Sequence, residues 1–360
     1  MSAEYATFAL APAIRTGAVS PSGSHRTHRD FLDFVVDGRP LLFRLADLDA
    51  VSPLAADIPP AILTESVRGL LLEAAAPLEG GRHLIYGCPE CDDLGCGAVT
   101  AVIERDGEDI VWRDFAWQTD DTADLDFNGY RGIGPYRFRG DRYRAELERL
   151  LRDGEDETAT PSHRRVLLIG ARAAVLGKLA AALRTIGIGA DIVQDTDGVT
   201  DDELRGYGAV AFGRAVTGEV RARVRHCFRR AGADVAYVDG LAPVIPVLVA
   251  QIVTALDPTP PERRRVTALA ATVAEATVEV SSAVGVQLVA YRLDRLYRTH
   301  EKLLLDDVLE PGTHRIPLDA KAVKGASFVV ARTTGSELVV PVVRRSAGHR
   351  AHTDPPAGLT

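Results

Sequence analysis

Cysteine is scarce in this chain. There are four in 360 residues, and three of them, Cys88, Cys91 and Cys96, fall within nine positions. A secreted disulfide framework needs cysteines in even number spread through a small domain, so that class is excluded. An intracellular, cytoplasmic protein with one local cysteine site fits better. Net positive charge is also lacking: 42 Lys and Arg against 50 Asp and Glu give −8 at pH 7. General binders of nucleic acid or anionic membranes present a net basic face, so neither partner is expected. Arg221, Arg223, Arg225, Arg229 and Arg230 form a local basic run, read as a solvated helix face. No stretch reaches the about 18 apolar residues of a membrane span. The longest, Leu241 to Leu256, contains Pro243, Pro246 and Gln251 and reads as a buried helix. The opening MSAEYATFAL carries Glu4 and no basic segment, which argues against a secretory signal. Catalytic signatures are missing too: there is no P-loop, nucleophile elbow or H-E-x-x-H motif.

Two polar, proline-punctuated stretches, Asp153–His163 and Asp257–Arg265, read as linkers. They divide the chain into a domain over 29–152, a second over 164–256 and a third over 266–343. Residues 1–28 and 344–360 are read as disordered flanks. The expected fold is thus multidomain: α+β with a cysteine knuckle, then parallel α/β, then an all-β sandwich.

In the first domain, Asp33 to Leu48 carries a hairpin signal around Asp-Gly-Arg-Pro, and helical periodicity follows from Pro60 to Ala76. Next comes His83-Leu-Ile-Tyr-Gly-Cys88-Pro-Glu-Cys91-Asp-Asp-Leu-Gly-Cys96-Gly-Ala, a tight turn with three thiols between two strands. A further hairpin turns at Asp106-Gly107. In a Cys-Pro-x-Cys turn, backbone N–H groups point at the first sulfur and proline fixes the turn, so two thiolates are presented from one loop. Zinc takes four ligands in a structural site, or three plus an open position in a catalytic one. Cys88, Cys91 and Cys96 are the candidate ligands, with His83, Glu90, Asp92 or Asp93 available as a fourth. A redox pair of Cys88 and Cys91, or reduced thiols without metal, are the alternatives. The region Asp30 to Leu151 resembles an uncharacterised bacterial family with the signature Cys-Pro-Glu-Cys-Gly-Asp-x-Gly-Cys-Gly-Ala. Trp112, Trp117 and Ile133-Gly-Pro-Tyr-Arg-Phe138 belong to the match. Asp92 stands where that family tends to have glycine, and no catalytic residue is carried over.

The second domain alternates short apolar strands at Val166–Gly170, Ala190–Asp195, Ala209–Gly213 and Asp234–Asp239 with helices. Such alternation implies a parallel sheet with right-handed crossovers. It resembles a Rossmann-type nucleotide-binding fold: Gly170 closes the first strand, and Asp195 ends the second, where that family places its ribose-binding acid. The glycine fingerprint is degraded, with Arg172 and Val175 where glycines belong. Gly170, Arg172, Asp195, Gly213, Arg214 and Asp239 are the candidate cofactor-binding residues, with Arg214 and Asp239 facing a crevice at the strand ends. His226 and Cys227, mid-helix, are read as a buried, inert pair.

Regular short strands from Val266 to Val343 read as a sandwich. Leu309–Leu318 followed by Gly325–Arg332 resembles the immunoglobulin-like modules of flagellar hook-capping and sorting proteins. That likeness implies a protein partner bound through the C-terminal β-sandwich. The leading functional expectation is a binding or scaffold protein with a metal-stabilised knuckle and a degenerate nucleotide-binding-like domain. The alternatives are an oxidoreductase using NAD(P) or flavin, and a zinc-dependent enzyme with Glu90 or Asp93 as base.

Overall fold

The computed structural model describes residues 4–45, 48–55, 60–90, 94–156, 164–194, 196, 199–240, 243–294, 296 and 298–343. The fold is mixed α and β, with several antiparallel sheets and one parallel sheet. No helix among the described residues is long and apolar enough to cross a membrane.

The N-terminal part comprises β1 (Phe8–Arg15), β2 (Ala18–Val19), β3 (His25–Arg26), β4 (Arg29–Val36), β5 (Arg39–Pro40), α1 (Pro60–Leu70), β6 (Arg82–Tyr86), β7 (Ala98–Asp106), β8 (Asp109–Gln118), α2 (Leu125–Asn128), β9 (Tyr136–Phe138) and α3 (Gly140–Asp156). Strands β6 to β9 form one antiparallel sheet in chain order, and β1, β4 and β5 form another. Between them lies an aromatic core in which Trp112 meets Phe34 at 5.2 Å, Phe8 at 5.7 Å and Phe138 at 5.7 Å. These are edge-on contacts, the favoured arrangement of aromatic quadrupoles.

The N-terminal flank is a correction to the sequence reading. Residues Phe8–Arg15 are not loose but pair along their whole length with β4. Pro12 is tolerated because β1 is an edge strand, where a missing N–H breaks no ladder. Beyond β1, Thr16 N–H donates to the Thr334 carbonyl at 3.0 Å and His28 N–H to the Ile186 carbonyl at 2.8 Å. The flank therefore ties the N-terminal part to both later parts. Residues 344–360 lie outside the described residues.

The central part comprises β10 (Arg165–Ile169), α4 (Ala173–Thr185), β11 (Gly189–Val193), α5 (Asp201–Arg205), β12 (Ala209–Phe212), α6 (Gly218–Arg230), β13 (Ala236–Asp239) and α7 (Ile245–Leu256). The strands form a wholly parallel sheet in the order β11-β10-β12-β13. Strand side chains alternate between faces. Val166 and Leu168 accordingly join the core under α4 and α7, while Leu167 and Ile169 join the core under α5 and α6. Burial on both faces explains why the strand is apolar from Val166 to Ile169.

The C-terminal part comprises β14 (Val266–Ala271), β15 (Glu275–Val280), β16 (Val284–Leu293), β17 (Thr299–Leu309), β18 (Gly312–Pro317), β19 (Ser327–Arg332) and β20 (Glu337–Pro341). Sheets β14-β15-β18 and β17-β16-β19-β20 share one core that includes Val278, Val280, Val286, Leu288 and Val329. Helix α7 is wedged between the parallel sheet and this unit. One side of it packs under β10, and Val244, Val247 and Ala250 meet Val289, Tyr291, Phe328 and Val330 on the other. The second expected linker is also corrected. Arg265 is buried, donates to the Leu42 carbonyl and stacks over Phe43 at 5.0 Å, so this stretch is docked rather than a free spacer.

Candidate functional site

Strands β10 and β12 end in glycines that lie side by side. Gly213 N–H donates to the Ile169 carbonyl at 2.8 Å. A Cβ built on Gly170 would stand 3.5 Å from Gly213 Cα. The strand order reverses at this point: β11 lies on one side of β10, β12 and β13 on the other. In open parallel sheets the crevice outside such a reversal, at the carboxyl ends of the strands, is where ligands sit.

A cleft of about 1070 Å³ opens there. Gly170, Gly213 and Gly240 form its floor, with Val175, Leu176 and Leu179 of α4 on one wall and Leu248 and Ile252 of α7 on another. The C-terminal part closes it with Leu293, Asp294, Ser327, Phe328 and Val342. The interior is mostly apolar, whereas Arg172 and Arg214 stand exposed at the rim. Arg172 is the N-cap of α4, and no side chain caps that helix start. The first-turn N–H groups and the positive end of the helix dipole thus add to the charge of the two arginines.

Across the cleft, Asp294 accepts from His300 Nε2 at 3.0 Å and from the Leu296 and Arg298 N–H groups at 2.8 and 2.9 Å. Those bonds, His300 first, hold its carboxyl down to about 2. The cleft therefore has a cationic end at the strand termini and one fixed anion on the opposite wall.

Of the expected cofactor-binding residues, the structure brings Gly170, Arg172, Gly213 and Arg214 to this cleft. Asp195 lies outside the described residues. Asp239 departs from the expectation: it is turned away from the cleft and ion-paired with Arg221 of α6. Its backbone carbonyl accepts from Gln251 Nε2 at 3.1 Å. The basic run on α6 is largely engaged. Arg225 stacks over Tyr237 at 5.1 Å and Phe212 at 5.8 Å, and Arg230 approaches Asp201 at 3.3 Å. His226 is exposed rather than buried, and Cys227 is half-buried against the α5–α6 core. Sequence reasoning missed Leu248, Ile252, Phe328 and Val342, since apolar residues carry no sign of which distant part they will face.

The metal knuckle is corrected. Among the described residues, no group of three or more His, Cys, Asp or Glu is placed to hold a metal ion. Cys91, Asp92 and Asp93 lie outside the described residues. Cys88 leaves β6 half-buried, whereas Cys96 is exposed at the end of a 3-10 turn (Leu94–Cys96). Glu90 is committed elsewhere, accepting from Arg15 Nη1 at 2.5 Å and Thr27 Oγ1 at 2.9 Å. Partial burial works to raise its carboxyl, but the Arg15 and Thr27 bonds outweigh it and hold Glu90 below the usual range.

In comparisons with known proteins, no family model matches the chain, no curated protein matches its sequence and no solved structure matches its fold.

Proposed function

We propose that the chain is a small-molecule binding protein. Its ligand is an anionic, nucleotide-class compound seated in the strand-end cleft. The observation that carries this reading is the cleft itself, with three glycines on its floor, two arginines on its rim and a bare helix start beside them. A phosphate group fits over Gly170 and Gly213 between Arg172 and Arg214. A base or other apolar body fits against Leu248, Ile252 and Phe328. On this reading the central part is a Rossmann-like domain with a degenerate glycine loop. The C-terminal part is an immunoglobulin-like sandwich that covers the site. Nicotinamide and flavin nucleotides suit the same pose, so redox cofactors belong among the compounds tested. Protein docking by the sandwich would use the β17 side, where Leu303 and Val308 are exposed, since α7 covers Val289 and Phe328.

The test is a thermal-shift screen with ATP, GTP, NADH, NADPH, FAD and FMN, each beside its phosphate-free nucleoside or riboflavin. At least one phosphorylated compound should raise the melting temperature while its phosphate-free partner does not. Arg172→Ala with Arg214→Ala should remove that difference. No shift with any phosphorylated compound would reject the reading.

A further inference from the structure

A second cavity, of about 720 Å³, lies in the N-terminal part, lined by the end of α1, residues 73–75 and 77–78, β6, Cys88 and Leu94. Two features set it apart from an ordinary surface hollow. The first is His83 on β6, which lines the cavity although only 3% of its surface is exposed. The His83 ring makes no hydrogen bond to a described residue, and burial, acting alone, lowers its pKa. At neutral pH the imidazole is therefore uncharged and keeps an acceptor nitrogen that a ligand in the cavity can use. The second is Gly69 on α1. A Cβ there would stand 4.0 Å from His83 Nδ1, so glycine leaves the approach to the ring open. Ser52, also on the wall, does not compete for a ligand: its hydroxyl donates to the Leu32 carbonyl at 2.6 Å and accepts from Leu54 N–H at 3.1 Å.

The remaining wall decides the ligand class. Leu70, Leu78, Leu84 and Pro77 make it largely apolar. The charged side chains at its edge are Glu65, Glu73 and Arg68, all exposed. Two acids against one base give this mouth no attraction for an anion, in contrast to the arginine rim of the strand-end cleft.

We propose that this cavity is a second ligand site, separate from the strand-end cleft. It takes a neutral, mainly apolar molecule whose hydroxyl group, phenolic or alcoholic, donates a hydrogen bond to the His83 imidazole. The Cys88 thiol lies on the same wall and reports occupancy.

The experiment uses the full chain and two probes of nearly equal shape, 2-naphthol and 2-methoxynaphthalene, in calorimetric titrations. The methyl ether lacks the donor, so 2-naphthol should bind about tenfold more tightly. His83→Phe should abolish that preference, and Gly69→Leu should weaken both probes. Gly170→Val, in the other cleft, should change neither. Gly69→Ala, which adds only a contact at ordinary distance, checks that α1 tolerates substitution. Bound 2-naphthol should also slow alkylation of Cys88 by N-ethylmaleimide, with Cys227 as the unaffected internal control. Equal affinity for the two probes, absence of binding, or a preference that survives His83→Phe would overturn the proposal.

Discussion

Replacing Asp33 by asparagine should change how stability depends on pH. Asp33 lies on β4, 4% exposed, between Tyr86 and Arg265. Burial works to raise its pKa. The Tyr86 hydroxyl, the Arg265 charge and backbone N–H groups of Phe34 and Leu42 work to lower it. Burial prevails, and the carboxyl is pushed up to about 6. An aspartate in an unfolded chain titrates near about 3.9. Between those values the folded chain holds a proton that the unfolded chain has released. Stability therefore falls as pH rises through this window, by up to about 1.4 kcal/mol per pH unit, and levels off above it. The full effect is on the order of 3 kcal/mol. The sign is opposite to that of a salt-bridged carboxylate. Asparagine keeps an acceptor for the Tyr86 hydroxyl and never ionises. Relative to wild type, Asp33→Asn should gain about 3 kcal/mol between pH 4 and pH 7. Urea unfolding followed by tryptophan emission reads this locally, since Trp112 shares a core with Tyr86 and Phe34 and Trp117 packs against it. Parallel pH profiles for the two proteins would refute the reasoning.

Other outcomes follow from the packing. Gly97 has φ +91°, and a Cβ there would stand 2.0 Å from the Trp117 ring. Gly97→Ala should cost about 3 kcal/mol, against about 1 kcal/mol for Gly107→Ala, where φ is also positive but the space is open. Thermal unfolding of both variants checks the gap. The Arg332–Glu337 ion pair is buried, with side chains 8% and 0% exposed. Glu337→Gln should destabilise by about 3–5 kcal/mol, and the double variant Arg332→Met with Glu337→Leu should cost less than that single change. Denaturant titrations decide it. Arg225→Ala should lose only about 0.5–1 kcal/mol, the value of partly exposed stacking on Tyr237 and Phe212.

The parallel sheet was legible because its strands are short apolar runs closed by glycine. The predicted Val166–Gly170 and Ala209–Gly213 differ by one residue from Arg165–Ile169 and Ala209–Phe212. The glycines at those strand ends were also visible, and with them the floor of the cleft. Strand β1 was not legible: Phe-Ala-Leu-Ala-Pro-Ala-Ile-Arg has no polar alternation and contains proline, and its place is set by pairing with β4. Helix Pro60–Ala76 was drawn too long, since α1 ends at Leu70 and Leu72 takes φ +58°. Asp239 carried the right chemistry for a ligand contact, but Arg221, one helix earlier, claims it. The role of Arg265 was hidden for the same reason, because its partners Leu42 and Phe43 lie more than 200 positions away. Local pattern specifies elements and their caps; which charge finds which partner is settled only when distant elements meet.

The most direct test of the central claim is a calorimetric titration of wild type and Gly170→Val with the best phosphorylated compound from the screen, at low and high salt. A valine side chain at Gly170 would project from the cleft floor, yet its Cβ meets neighbours no nearer than 3.5 Å, so the fold should survive. The account predicts one site in wild type, weakened at high salt as the arginine rim is screened, and no measurable binding in Gly170→Val. Equal affinity in the two proteins would place the ligand elsewhere and contradict the account.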